Sequence, residues 1–348
     1  MSAHTIIHLV DTKKALPTVV TTLRETLDLD KLRFATDPKY AKEVIKHMKD
    51  DSTNERNTDN YIAESLSSAI KLRNKKLENY TTNTTTVTYL NNNKPLYARQ
   101  SVDHALGIQG LRNELKGWCC GEYYYDIDMV NCHPVILKWL IKRDKLETSK
   151  IKSLTKYIKD RDTFIKKHDV SKTTILTWIN GGGQDSNQTK PTKTLSKLWK
   201  QLDKVRNEYA EKYPKLYKQA QTKAEKAGYN QETQRDAKAK RTLISFILQH
   251  YENQLLTVLL TYLKTNKIIT DNYVPMYDGV MGLKSDANTN THLSIEELLT
   301  NMEQAMELAA PGLNMKLKLK PLQAMPPRIE RLYDDYMLNR DQYARRRQ

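Results

Sequence analysis

Cysteine is scarce in this chain: Cys119, Cys120 and Cys132 are the only three in 348 residues. They show neither CxxC spacing nor a disulfide framework, which argues against a cysteine zinc site and favours a reducing compartment. The eight histidines do not supply a zinc site either. No HExxH run is present, and His4 and His8, spaced for one helical face, have no cysteine partner. Long apolar runs are also missing. The longest, near Leu255 to Leu260, falls far short of the ~20 residues that cross a bilayer, so no membrane partner is expected. The N-terminus has no charged region, apolar stretch and small-residue cleavage site of a secretory signal. Gly181-Gly182-Gly183 looks like the start of a phosphate-binding loop, but no Gly-Lys-Ser/Thr follows, so an ATPase of that class is not supported.

Positive charge is abundant. Lys and Arg number 57 against 41 Asp and Glu, a net charge of +16 with a pI of about 9.4. The basic residues are spread along the chain, which makes a polyanion, and nucleic acid first, the leading partner class. An AT-rich coding sequence, which supplies Lys, Asn and Tyr freely, gives the same excess. At 40.5 kDa the chain has length for one multi-lobed unit or two to three subdomains.

Apolar periodicity predicts mostly amphipathic helix from Leu16 to Leu77, broken by a polar loop from Asp50 to Asn60. A Thr/Asn-rich run, Asn79 to Asn93, separates this region from Tyr97 to Gly117, where Arg99, Gln109 and Arg112 lie among turn-like glycines. Helix is predicted from Val135 to Leu146, through much of the lysine-rich stretch Ile151 to Lys240, and again from Arg241 to Leu263. Arg345-Arg346-Arg347 reads as a frayed basic tail or a linker.

The chemistry-bearing segments are two. Tyr123-Tyr124-Tyr125 followed by Asp126-Ile127-Asp128 reads as a strand with both acids on one face. Tyr273-Val274-Pro275-Met276-Tyr277-Asp278-Gly279-Val280-Met281 reads as a second strand around a single acid, with Gly279 permitting a tight bend. An acid in the middle of each strand, with the strands side by side, is a layout for holding divalent cations between them.

The order of these segments resembles the motif series of family-A DNA polymerases and their single-subunit RNA polymerase relatives. Asp128 through Leu137 is similar to the strand-to-helix run that begins with a metal-binding aspartate, and its Asp-x-x-x-x-x-Pro form is also similar to family-B polymerases. Lys172, Leu176, Asn180 and Gly181 follow the spacing of the fingers helix, with Leu176 in place of a stacking aromatic, Asn180 in place of a tyrosine, and His168 where an arginine is usual. Arg241, Ser245 and Gln249 keep the four-residue spacing of a helix facing template and primer. Tyr277-Asp278-Gly279 stands where the family has His-Asp-Glu. Asp-x-Asp-x-x-Asn-x-His-Pro from Asp126 to Pro134, with Tyr-Asp-Gly, looks most like the transposon and virus polymerases known as TV-Pol, found in virophages and mobile elements and fused ahead of a superfamily-3 helicase.

That resemblance implies an α+β, mostly helical right-hand polymerase with a small antiparallel palm sheet. Residues 1–98 would be a helical thumb-like region, 99–140 and 241–348 the two parts of the palm, and 141–240 the helical fingers. It implies a DNA polymerase or primase acting inside an infected cell, in cytoplasm or viral factory, on a DNA template and primer with dNTPs or rNTPs. Two Mg²⁺ or Mn²⁺ ions would be held by Asp128, Asp278 and the Met129 carbonyl, with Asp126 as a third acid. Lys172 would contact the triphosphate, and Asn131, His133, His168, Tyr277, Asn180 and Gly181 would surround the nucleotide. His133 sits where a steric gate against the 2′-hydroxyl is expected, and equally fits a buried histidine packed before Pro134. Arg99, Gln109, Arg112, Arg241 and Gln249 would touch nucleic acid. A metal-dependent nuclease and a non-catalytic nucleic-acid-binding module are the rival readings.

Overall fold

The computed structural model describes residues 20–50, 67, 69–72, 74, 83–91, 100–102, 107–146, 151–182, 192–290 and 293–345. His4, His8, Arg99, Gly183, the loop over 51–60 and the arginines at 346–347 lie outside them. Within the described residues the chain is α+β and mostly helical, with two small antiparallel sheets. No described helix is long and apolar enough to cross a membrane.

The first sheet joins β1 (Val20–Thr26), β2 (Thr84–Asn91) and β3 (Gln100–Val102) in that order. This corrects two sequence readings, the helix expected through residues 20–26 and the Thr/Asn-rich spacer. Threonine and valine crowd a helical turn with their branched Cβ but fit a pleated strand, and β2 pairs along the whole of β1, from Val20 opposite Leu90 to Thr26 opposite Thr84. Helices α1 (Leu29–Ala35), begun by the Asp28 side chain accepting from the amides of Asp30 and Lys31, and α2 (Ala41–Asp50) fill the connection.

The second sheet contains β4 (Tyr124–Met129), β5 (Tyr273–Met276), β6 (Gly279–Leu283) and β7 (Leu317–Lys320), in the order β5-β6-β4-β7. The acid-bearing β4 is therefore flanked on both sides, and β7 is an edge. The two sheets are tied together at β1 and β5. Arg24 N–H donates to the Asp271 carbonyl at 2.8 Å. The buried Tyr124 hydroxyl accepts from Thr26 N–H and donates to Asn272 Oδ1, each at 2.7 Å. Asn272 Nδ2 closes the circuit on Thr26 Oγ1 at 2.9 Å.

Helix α3 (Asn113–Cys120) precedes β4, and α4 (Cys132–Arg143) follows it. Next come α5 (Lys152–Lys159), α6 (Arg161–His168), α7 (Lys172–Ile179), α8 (Lys193–Lys212) and α9 (Pro214–Lys226). Their starts are marked by capping side chains: Asp160 accepts from Thr163 N–H, Ser171 from Thr174 N–H and Thr192 from Leu195 N–H, while Pro214 opens α9. The 34-residue α10 (Glu232–Thr265) is the spine, buried at Leu243, Ile247, Leu255 and Leu259 among others, and packs on α4, α8 and α9. It also packs on α12 (Ile295–Ala309), which follows α11 (Lys284–Asn290), and α13 (Pro327–Arg345) closes the chain against α1 through Phe34, Tyr333 and Tyr336. The expected divisions at 140/141 and 240/241 fall inside α4 and α10, each a continuous helix.

Because Tyr124 satisfies a buried amide and a buried side-chain carbonyl at once, Tyr124→Phe strands both. A loss of about 2 kcal/mol in denaturant unfolding is expected; an unchanged midpoint would show that the sheets are held together elsewhere.

Candidate functional site

Strand β4 ends at the site. Its register places Asp128 directly opposite Gly279 on β6 and Lys318 on β7, and Asp126 opposite Met281 and Lys320. Directly opposed residues project to the same face, so Asp126, Asp128, Lys318 and Lys320 share it. Asp278 is not in the middle of a strand as the sequence suggested. It occupies the Tyr277-Asp278 turn that joins β5 to β6, a hairpin made possible because the chain reverses immediately before Gly279. The Asp278 carbonyl accepts from Met129 N–H at 2.8 Å, which pins the turn to the end of β4 and sets Asp278 beside Asp128. Gly279 is required for this approach: a Cβ there would come within 2.1 Å of the Ile127 carbonyl oxygen.

Asp128 lies in the negative field of both Asp278 and Asp126. Burial, followed by the negative charge of Asp278, pushes the Asp128 carboxyl up to about 6. Asp126, almost fully buried, is also raised, by burial first, against the opposing pull of Lys320 and Lys116. Lys320 Nζ lies 3.9 Å from Asp126 Oδ2. Lys172, the first residue of α7, is solvent-exposed and lies in the field of the two aspartates. Desolvation and the neighbouring Arg161 lower its pKa, while Asp128 and Asp278 raise it. Arg161 is held by Asn131, whose Oδ1 accepts from Arg161 Nη1 at 3.3 Å. Asn131 itself adopts a left-handed conformation, φ 51°, where the chain turns from β4 into α4.

A second group assembles where α4, α7 and α10 meet. His133 is buried, with Nδ1 bonded to Asn180 Oδ1 and Nε2 2.9 Å from Glu252 Oε1. Gly181 ends α7 at φ +82°, and a Cβ on it would lie 1.9 Å from the Arg241 carbonyl oxygen. Arg241, Ser245 and Gln249 follow one face of α10, with Gln249 Nε2 donating to Ser245 Oγ at 3.1 Å. Tyr277 is exposed beside Asp278, and the Met129 side chain is buried.

Three sequence candidates are engaged elsewhere. Gln109 donates to the Pro275 carbonyl at 2.7 Å and so braces β5 from a buried position. Arg112, also buried, makes a two-pronged pair with Glu114 at 3.1 and 2.8 Å. His168 contacts Thr192 Oγ1 at 3.1 Å and the Phe164 ring, and its charged neighbours are Lys167 and Lys156 instead of the aspartates. Sequence reasoning missed four cations at the site: Lys116, Arg161, Lys318 and Lys320. The alternation Lys316-Leu317-Lys318-Leu319-Lys320 carried a strand signal with all its lysines on one face. Nothing local marks Arg161 or Lys116.

Among the described residues no group of three or more His, Cys, Asp or Glu side chains is arranged to hold a metal ion. The donor set nevertheless fits Mg²⁺, which binds through one or two carboxylates and completes its shell with water and substrate phosphates. A carboxylate whose proton affinity is raised by a neighbouring carboxylate, as that of Asp128 is by Asp278, is also a place where a cation relieves repulsion. The chain matches no protein-family model and is not significantly similar in sequence to any curated protein.

A carboxyl whose pKa in the folded state exceeds its unfolded value binds protons preferentially in the folded state, so its ionisation destabilises. For Asp128 that penalty is absent below about pH 4 and complete above about 6. Asp128→Asn is therefore expected to stabilise the protein by about 1–2 kcal/mol at pH 8, discounted for partial exposure, with the gain vanishing toward pH 4. Chemical denaturation across pH tests this; a gain that does not change with pH would contradict it.

Proposed function

We propose that the chain is a nucleotidyltransferase of the right-hand polymerase type. The observation that carries this reading is the Met129–Asp278 backbone bond, which brings Asp128 and Asp278 together beneath a lysine supplied by a separate helical segment. In this reading the β5-β6-β4-β7 sheet is the palm, α5–α9 are the fingers, and the residues ahead of β4 take the thumb's place.

Asp128 and Asp278, with the Met129 carbonyl, would hold two Mg²⁺ or Mn²⁺ ions, which supply activation of a primer 3′-hydroxyl and neutralisation of a departing pyrophosphate. The chain's own residues do the rest. Lys172 and Arg161 set two positive charges opposite the acids, where a triphosphate's charge is balanced, and Asn131 orients Arg161. His133 and Asn180 line the sugar end of the nucleotide, and Glu252 keeps the imidazole from turning. Arg241 and Gln249 face the template or primer from α10, in keeping with the +16 net charge. The likeness to TV-Pol extends the proposal to DNA replication in a virus or mobile element, inside the cell and together with a superfamily-3 helicase.

Labelled dNTPs or rNTPs with Mg²⁺ or Mn²⁺ and single-stranded DNA, with and without an annealed primer, test the reading. Asp278→Ala and Asp128→Ala are expected to lower incorporation by at least ~10³-fold with DNA affinity preserved, and Lys172→Ala by roughly 10²-fold. Incorporation that survives in Asp278→Ala would sink the proposal. Degradation of DNA without nucleotides would identify a nuclease, and DNA binding with no product under any condition would favour the binding module.

A further inference from the structure

The face that carries the aspartates holds more positive than negative charge. Asp126, Asp128 and Asp278 stand against Lys116, Lys172, Lys318, Lys320 and Arg161. The cations fall into two sets. Lys172, with Arg161 beside it, faces Asp128 and Asp278 from the helical side, whereas Lys116 and Lys320 lie nearest Asp126, two residues back along β4 and about 7 Å away, with Lys320 also in reach of Asp128. Lys172 and Arg161 already have an assignment on the nucleotide side. The second set has none.

We propose that Lys320 and Lys116 form a second phosphate subsite, which takes a phosphodiester of the primer strand and directs its 3′ end toward Asp128. Lys116, on α3, is only 6% exposed, and placing a second lysine beside a buried one costs energy that a polyanion repays. Asp126 is the nearby counter-charge, but at 3.9 Å its contact with Lys320 is too long for a hydrogen bond, so Lys320 keeps its donors for another acceptor. Lys320 is opposite Asp126 and Lys318 opposite Asp128, so a backbone laid along β7 would pass from the Lys116 side toward the paired acids. Lysines on an edge strand also guard against edge-to-edge pairing. Lys116 lies on a helix and is no part of the edge strand, so edge protection gives it no role.

The identity of the anion rests on the nucleotidyl-transfer reading, and the test separates the two. Lys320 is half-exposed at a sheet edge, so its replacement spares the core. Primer–template binding to the full chain is measured by fluorescence anisotropy over a salt series for wild type, Lys320→Ala, Lys320→Glu and Lys320→Arg. Lys320→Ala is expected to weaken binding several-fold and to reduce the slope of log K against log salt by about one, with Lys320→Glu weaker still and Lys320→Arg close to wild type. In steady-state incorporation the KM for primer–template rises and that for nucleotide stays, the reverse of Lys172→Ala. Unchanged affinity and salt slope in Lys320→Glu would overturn the subsite even if the wild type incorporates nucleotides. A reduced slope in a wild type that incorporates nothing would uphold a phosphate subsite for DNA while overturning nucleotidyl transfer.

Discussion

One backbone hydrogen bond, from Met129 N–H to the Asp278 carbonyl, decides whether Asp128 and Asp278 meet. Strand β4 and the β5–β6 turn are far apart in the chain, with the whole helical segment from α4 to α10 between them. The bond forms only because Gly279 has no side chain to strike the Ile127 carbonyl. The rest of the architecture serves that contact. Tyr124 and Asn272 fix β4 and the start of β5 to the N-terminal sheet, Gln109 braces Pro275, and α10 leads the chain back from the helices toward β5.

Bringing the acids together is unfavourable, and the fold distributes the cost. Burial and mutual repulsion raise the proton affinity of Asp128, while lysines on α3, α7 and β7 offset the field without closing a tight ion pair on Asp128. On this face the cations outnumber the acids. The same logic accounts for His133. Its contacts with Asn180 and Glu252 tie α4, α7 and α10 into a wall, and Gly181 lets α7 end against Arg241. The helix that carries Lys172 is thereby fixed at its far end.

Much of this was legible in the residues, because it depends on local periodicity. The period-two pattern of Asp126-Ile127-Asp128 gave one face of β4, and three-to-four-residue spacing placed Arg241 and Gln249 on one side of α10. Other features were hidden for physical reasons. The threonine-rich strands β1 and β2 stabilise each other across a long stretch of chain, so their partner is invisible in any short window. Asp278 looked like a strand residue because apolar strands flank it on both sides, and only the register shows that the chain turns there. Arg112 and Gln109 were read as ligand-facing because sequence cannot reveal that Glu114 and the Pro275 carbonyl claim them. Arg161 and Lys116 reach the site through tertiary packing alone.

The central claim is that Asp128 and Asp278 act as a pair to hold divalent cations together with a nucleotide. Electron paramagnetic resonance of Mn²⁺ titrated into the protein, with and without a nonhydrolysable nucleoside triphosphate, addresses it most directly. The account predicts weak Mn²⁺ binding to the protein alone, tightened by the nucleotide, and loss of that tightening in Asp128→Asn and in Asp278→Asn alike. Mn²⁺ binding that is indifferent to the nucleotide, or that survives in either variant, would contradict it.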